Sequence, residues 1–313
     1  MKFPNLETLI PAVVTPMTPE FEVDEAATRR YLTWVKAQGI RAVAVNADTG
    51  EGPSLSREER RRLLEISAEI FSGEVVAGLY ASTTREAIAL AEDARRAGVA
   101  ALLMFPLPVF RERAGSERVI YEYHRAVAEA VELPMVLFHL QPALGGAEYS
   151  PDLLARLIEL PNACALKEAT FDVRSFTETV ALLGQLPKKI TLLTGNDNFI
   201  MQSFLLGAVG ALLGFGTLVV REQLEMIRAV GKRDYERAWK LHGIVQPLAD
   251  AIFASPVREY RARAKEALRL MGVLENAVVR PPLLPLEESE RQRVREALER
   301  AGALASVASR RGE

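Results

Sequence analysis

The sequence predicts an α/β fold, a (β/α)8 TIM barrel with a C-terminal helical extension, and three observations predict it. Eight short apolar runs alternate with eight amphipathic segments between residues 9 and 230. The runs are apolar on both faces, as strands of a parallel sheet covered by crossover helices must be. Eight such units in this length is the arithmetic of a closed barrel. The first run leads into Thr15-Pro16-Met17-Thr18-Pro19, which lacks the glycine-rich turn of an open dinucleotide-binding sheet.

The first strand is expected over Leu9 to Thr15, stopped by Pro16. Asp24 reads as the N-cap of a helix running to about Gln38, with Gly39 beyond it. A strand over Arg41 to Val45 leads into Asn46-Ala47-Asp48-Thr49-Gly50-Glu51-Gly52-Pro53, and Ser56 with Glu59 forms a capping box for the next helix. The rhythm repeats with a strand over Glu74 to Leu79 and a helix over Thr83 to Ala97, closed by Gly98. A strand over Ala100 to Phe105 is broken by Pro106 and Pro108, before a helix over Ser116 to Val131. Met135 to Leu140 is the fifth strand, and Pro151 to Leu160 a helix with proline at an early position. Strands over Ala163 to Lys167, Ile190 to Leu193 and Ala211 to Phe215 follow, with helices from about Asp172, over Phe199 to Leu206 and over Val220 to Val230. The barrel is expected over residues 1–232. Residues 233–313 are expected to pack on it as helices: Tyr235 to Phe253, Val257 to Met271 and Glu287 to Leu304, the last two separated by Pro281-Pro282-Leu283-Leu284-Pro285.

Composition narrows the function. A 49% hydrophobic and 26% charged chain of 313 residues is an ordinary globular protein. A net charge of -2 gives no electrostatic case for nucleic acid or an anionic membrane. The arginine-rich run from Arg291 to Arg311 is interleaved with Glu296 and Glu299 and reads as a solvated helix face. The first residues, Met1 to Glu7, lack the apolar core of a signal peptide, and no apolar run reaches membrane-spanning length, so the cytoplasm is expected. One cysteine, Cys164, excludes an internal disulfide and a cysteine-ligated zinc site, and inside an apolar run it reads as an inert core thiol. Of three histidines, His124 and His242 fall within expected helices, leaving His139 alone, so neither a metal nor another cofactor is expected.

The chemistry points to Asn162-Ala163-Cys164-Ala165-Leu166-Lys167-Glu168-Ala169-Thr170, a buried strand that runs straight into a lysine. Burying an ammonium is costly unless it is paired or loses its proton. Eight of the 39 basic residues are lysines, so the chain elsewhere chooses arginine. Arginine stays charged, whereas a desolvated lysine can be neutral and nucleophilic. Bringing its pKa to about 7 takes roughly 5 kcal/mol, which burial plus a nearby charge can supply. The plainer reading is a lysine whose stem is buried and whose amine reaches water. In a barrel the catalytic face lies at the C-terminal ends of the strands. Thr15, Asp48, Thr49, Glu51, Tyr80, Phe105, His139, Lys167, Glu168, Thr194, Asn196, Asp197 and the Gly214-Phe215-Gly216 turn are expected there.

Taken in order, these segments resemble the dihydrodipicolinate synthase / N-acetylneuraminate lyase family of class I Schiff-base aldolases and lyases. Ala12-Val13-Val14-Thr15-Pro16 is similar to its first strand, and Thr49-Gly50-Glu51 to the tail of its GTTGE loop, with Leu55-Ser56 and Glu58-Glu59-Arg60 following. Leu166-Lys167-Glu168-Ala169-Thr170 is similar to its lysine motif, Thr194-Gly195-Asn196-Asp197 to its (S/T)GDD turn, and Gly207-Ala208-Val209-Gly210 to its GAxG. The resemblance implies that neutral Lys167 attacks the C2 carbonyl of pyruvate or another 2-keto acid, and that the protonated imine serves as an electron sink. It implies a carboxylate held by the Thr49 hydroxyl and the amides of the Asp48-Thr49-Gly50 loop, with Phe138, Gln141, Gly195 and Leu212 also around the substrate. It further implies a homo-oligomer, dimer or tetramer.

The departures from the family are specific. Phe138 stands where the family has a proton-carrying tyrosine, in Phe138-His139-Leu140-Gln141-Pro142-Ala143-Leu144-Gly145-Gly146, and no arginine follows before Gly146. The loop that in the synthase supplies a further tyrosine across a subunit interface reads Phe105-Pro106-Leu107-Pro108, and Asp48 replaces the first threonine of GTTGE. The expectation is therefore a lyase, aldolase or dehydratase, and not a true dihydrodipicolinate synthase. Asp48 and His139 are the candidates to replace the missing relay, Gln141 to bind a polar substrate tail, and Glu168 to turn away into a structural bond. Because neighbours on a strand face opposite ways, His139 enters the barrel only if the fifth strand has already ended. The alternative is a barrel that binds a keto acid or carboxylate without turnover, in a sensing role.

Overall fold

The computed structural model describes residues 3–111 and 116–304. Met1, Lys2 and residues 305–313 of the expected extension, with the end of the Arg291 to Arg311 run, lie outside the described residues. Eight parallel strands form one sheet: β1 (Leu9–Pro11), β2 (Val43–Val45), β3 (Val75–Leu79), β4 (Ala101–Met104), β5 (Met135–Leu140), β6 (Ala163–Ala169), β7 (Thr191–Thr194) and β8 (Gly210–Leu213). Their order is β1-β8-β7-β6-β5-β4-β3-β2. The ring closes where Ala12 pairs in parallel with Ala44, the Val13 amide donating to the Ala44 carbonyl at 3.0 Å.

The crossover helices are α1 (Glu25–Ala37), α2 (Arg57–Phe71), α3 (Thr84–Arg96), α4 (Ser116–Ala130), α5 (Pro151–Ile158), α6 (Val173–Gln185), α7 (Ile200–Leu206) and α8 (Val220–Gly231). Their starts are set locally. Asp24, Thr83, Ser150 and Asp172 each accept a first-turn amide, and Ser56 and Glu59 form the full capping box of α2. The strand period then sorts side chains into two cores. Leu102, Met104, Met135, Leu137, Leu166 and Leu213 pack outward under the helices. Ile10, Ala44, Val76, Leu103, Val136, Phe138, Ala165, Ala169 and Leu193 fill the barrel. Lys167 falls between Ala165 and Ala169 on that inner face.

Several element boundaries differ from the sequence-based expectation, and four of the differences have a visible physical reason. β1 ends at Pro11, because the chain beyond Ala12 turns toward the loop after β2, where the Thr15 hydroxyl donates to the Gly50 carbonyl at 2.7 Å. β6 continues past Lys167 to Ala169, because Glu168 and Ala169 still pair with His139 and Leu140 of β5. The second extension helix opens as a 3₁₀ turn over Val257–Glu259 and becomes α-helical only at α10 (Tyr260–Leu270). The last, α11 (Glu288–Arg300), stops before Leu304 at Ala301, where Gly302 takes a positive φ of 65°. No described helix is long and apolar enough to cross a membrane.

The extension is tied to the barrel rather than set beside it. α9 (Tyr235–Ile252) packs on α7 and α8, and α11 packs on α9 and α10. α10 reaches the loop after β2 through Lys265, whose buried amine bonds the Glu51 carboxylate and, at 2.6 Å, the Val278 carbonyl. Glu51 also accepts the Arg280 amide at 2.8 Å. Removing one member of a buried pair strands the other charge. Lys265→Met is expected to lower stability by about 3–5 kcal/mol in urea unfolding followed by circular dichroism, whereas a cost near zero would show that the pair does not hold this loop.

Candidate active site

Lys167 is buried on the inner face of β6, and its amine sits 4.2 Å from the centroid of the Phe138 ring. The amine makes no hydrogen bond or ion pair with any described residue. Burial pushes the amine down from 10.5 to about 8, while the Asp197 and Asp48 carboxylates pull it part of the way back. That change corresponds to on the order of 3 kcal/mol favouring the neutral amine. Asp197, also buried, is pushed up to about 7 by the same loss of water, against the pull of the Phe215 amide and of Lys167. Its carboxylate accepts the Phe215 amide at 2.9 Å, so it ties down the turn after β8 while facing the lysine's pocket.

Two glycines make the room. A Cβ at Gly195 would stand 2.5 Å from the Lys167 Cε and 2.8 Å from the Ala169 Cβ. A Cβ at Gly214 would stand 2.8 Å from the Phe253 ring and 3.2 Å from both the Thr49 hydroxyl and the Tyr260 ring. Lys167, Asp48, Thr49, Phe138, Gly195, Asp197 and Tyr260 line one narrow pocket, with apolar walls from Phe105, Leu140, Leu144, Phe171 and Phe253. Neither the Thr49 amide nor the Gly50 amide donates to an acceptor among the described residues, so this loop can seat an anion.

The sequence-predicted residues divide cleanly. Lys167, Asp48, Thr49, Phe138 and Gly195 come together, while Gly50 is outside the pocket lining and faces the Val13 carbonyl and the Thr15 hydroxyl. His139 does not join them: β5 has not ended there, so the ring points out of the barrel and stacks on Tyr149 at 5.8 Å. Its Nε2 accepts the Tyr149 amide at 3.2 Å, and burial lowers its pKa to about 4. The expected pairing of His139 with Asp48 as a proton relay is therefore corrected. Gln141 lies past the end of β5 and outside the pocket lining, and Leu212 sits in the inner core below it. Glu168 turns outward, accepting from Asn196 Nδ2 at 2.6 Å, and Asn196 in turn accepts the Phe171 amide at 2.7 Å. Phe171 is thereby held at a positive φ of 62° beside the pocket, a conformation costing on the order of 1–2 kcal/mol.

Sequence reasoning missed the side chains that come from α10. The Tyr260 hydroxyl donates to Asp48 at 2.9 Å and lies 3.2 Å from the Thr49 hydroxyl. The Tyr260 ring stacks on Phe253 at 4.5 Å. Arg261 donates to the Asp48 carbonyl at 2.8 Å and forms an ion pair with its carboxylate. The Asp48 carboxylate is thus neutralised by an arginine. A signal was available: the scarcity of lysine that singled out Lys167 also marked Lys265, five residues after Tyr260.

An unpaired, water-shielded amine of lowered basicity condenses with carbonyls. At the mouth of a (β/α)8 barrel it places the chain in the class of Schiff-base-forming lyases. Comparison narrows the class, and the chain belongs to the dihydrodipicolinate synthetase family, whose model matches residues 5–301. It is 32% identical over 293 residues to a 4-hydroxy-tetrahydrodipicolinate synthase of Methanothrix thermoacetophila, covering 93% of this chain and 95% of that one. It is 33% identical over 297 residues to the synthase of an Azoarcus species, covering 94% and 97%. Its structure is similar to that of a chloride-inhibited dihydrodipicolinate synthase from Acinetobacter baumannii complexed with pyruvate. The TM-score there is 0.84 at 30% identity, over 95% of this chain and 99% of the other.

Gly195→Ala tests the packing behind the amine. The new methyl displaces the lysine stem, and trapping of an imine by borohydride is expected to slow at least tenfold with the thermal midpoint nearly unchanged. Wild-type trapping rates would show that Lys167 needs no such clearance.

Proposed function

We propose that the protein is an imine-forming aldolase or dehydratase acting on pyruvate or another 2-keto acid through Lys167, and that it is not a dihydrodipicolinate synthase in the strict sense. The observation that carries the reading is the buried amine without a contact partner, lowered to about 8. The uncommitted Thr49 and Gly50 amides support a carboxylate next to the reacting carbonyl, and pyruvate is named in the Acinetobacter relative's complex. Against the synthase reaction stands the pocket itself. Phe138 lies on the amine and carries no proton, and Phe105 packs edge-on against it at 5.0 Å. Among the described residues lining the pocket, Lys167 is the one cation, so a second carboxylate finds no partner. Exposed Tyr235 and Trp239 on α9 support assembly as a homo-oligomer, which light scattering tests.

Incubation with pyruvate and borohydride is expected to place the reduced adduct on the peptide containing Lys167, and Lys167→Ala to abolish it. An adduct on another peptide, or none, would overturn the reading and favour a barrel that only binds. Formation of 4-hydroxy-tetrahydrodipicolinate is expected to be slower than in the named synthases by about 10²-fold or more, because no second cation lines the pocket to pair with a second carboxylate.

The attacking species is the neutral amine, and the folded protein holds its pKa below 10.5. The initial trapping rate should therefore rise with pH through about 8 and level off above it. A rate still climbing toward pH 10.5 would mean that the lysine is solvated.

A further inference from the structure

We infer that Tyr260, carried in from the C-terminal extension, completes a proton path that runs from the substrate through the Thr49 hydroxyl and the Tyr260 phenol to the Asp48 carboxylate. The inference rests on the reading of Lys167 as the imine-forming residue and adds the group that moves its protons. Three hydrogen-bonding groups stand in series at 3.2 Å and 2.9 Å, and all three residues line the pocket that holds Lys167. The direction of the bonds follows from counting hydrogens. The phenol has one, which it gives to Asp48, so it accepts from Thr49. The Thr49 oxygen then keeps its lone pairs for a group in the pocket.

The chain ends on an anion that is held in place. Arg261 pairs with the Asp48 carboxylate and also bonds its carbonyl, fixing the acceptor from behind. Tyr260 is fixed as well, by its stack on Phe253 and by the glycine at 214 that leaves room for its ring. Burial and the Asp48 charge raise the phenol well above its ordinary value. It therefore stays a neutral O–H that gives one proton as it takes another, and does not ionise.

Imine formation supplies a balanced task for this path. Neutral Lys167 forms the C–N bond to C2 of the keto acid, and the carbonyl π electrons move to oxygen. One N–H proton shifts from nitrogen to that oxygen through the Thr49 hydroxyl, giving the carbinolamine. Asp48, which is partly exposed, takes one proton from solvent. With the two hydroxyls turned toward the pocket, Asp48 passes that proton to Tyr260, Tyr260 passes its own to Thr49, and Thr49 passes its own to the carbinolamine hydroxyl. The C–O bond breaks, water leaves, and the nitrogen lone pair closes the protonated imine. One proton is gained from solvent over the sequence. In this scheme Tyr260 acts through Thr49 and is a positioning residue that relays, whereas Thr49 meets the reacting atoms.

The test uses the full chain, pyruvate as the probe, and borohydride quenching over time. Tyr260→Phe keeps the ring and its stack while removing the hydroxyl. Its trapping rate is expected to fall by about 10²-fold, with the final yield of Lys167 adduct and the thermal midpoint unchanged. Added formate buffer should raise the rate of the variant but not of the wild type, a response that a merely structural tyrosine would not show. Asp48→Asn should be slowed similarly, and the double variant should be no slower than the slower single one, because members of one path are not additive. A Tyr260→Phe rate within twofold of wild type, an absence of formate rescue, or multiplicative losses in the double variant would overturn the relay. If Tyr260→Phe does not fold, unslowed trapping by Asp48→Asn would do the same. Wild-type protein that forms no adduct would instead refute the imine reading itself.

Discussion

The structure depends on one constraint: an amine held out of water with no carboxylate in contact. Solvation would keep it cationic, and a tight ion pair would do so as well. The chain avoids both by placing Lys167 between Ala165 and Ala169 on the inner face of β6, with the Phe138 ring on one side and the bare Gly195 on the other. The acids are near enough to act through space but bound elsewhere, Asp197 to the Phe215 amide and Asp48 to Arg261. Their fields moderate the cost of burial without pinning the proton.

The second organising contact joins two segments more than two hundred residues apart. Tyr260, Arg261 and Lys265 of α10 all grip the loop that runs from Asp48 to Glu51. That loop supplies Thr49 and the free amides, so the extension shapes the anion seat and one wall of the pocket. The expected division at residue 232 marks a change of sequence pattern. Chemically, the mouth of the barrel and α10 are one unit. The C-terminal region places its own phenol, Tyr260, in the pocket.

Much of the architecture was legible in the chain. The caps at Asp24 and Ser56, the doubly apolar strands and the eightfold rhythm are local properties, and local hydrogen bonding and burial realise them directly. The lysine was legible because a cation in an apolar strand is expensive wherever the strand lies. His139 failed for an equally local reason: strand parity sends it opposite to Phe138, and pairing with Glu168 keeps that strand going. The place of Asp48 beside the lysine's pocket was legible but not its partner, because nothing in the loop's own sequence names an arginine on a helix far downstream.

By itself the sequence determined the barrel, the strand that carries the amine, and the loop that faces it, since periodicity and the cost of burying charge act over a few residues. Tertiary structure alone decided which side chains share the pocket. Tyr260, Phe253 and Phe171 arrive there, and Arg261 arrives at Asp48, by packing across the whole chain, and long-range packing leaves no short-range pattern to read.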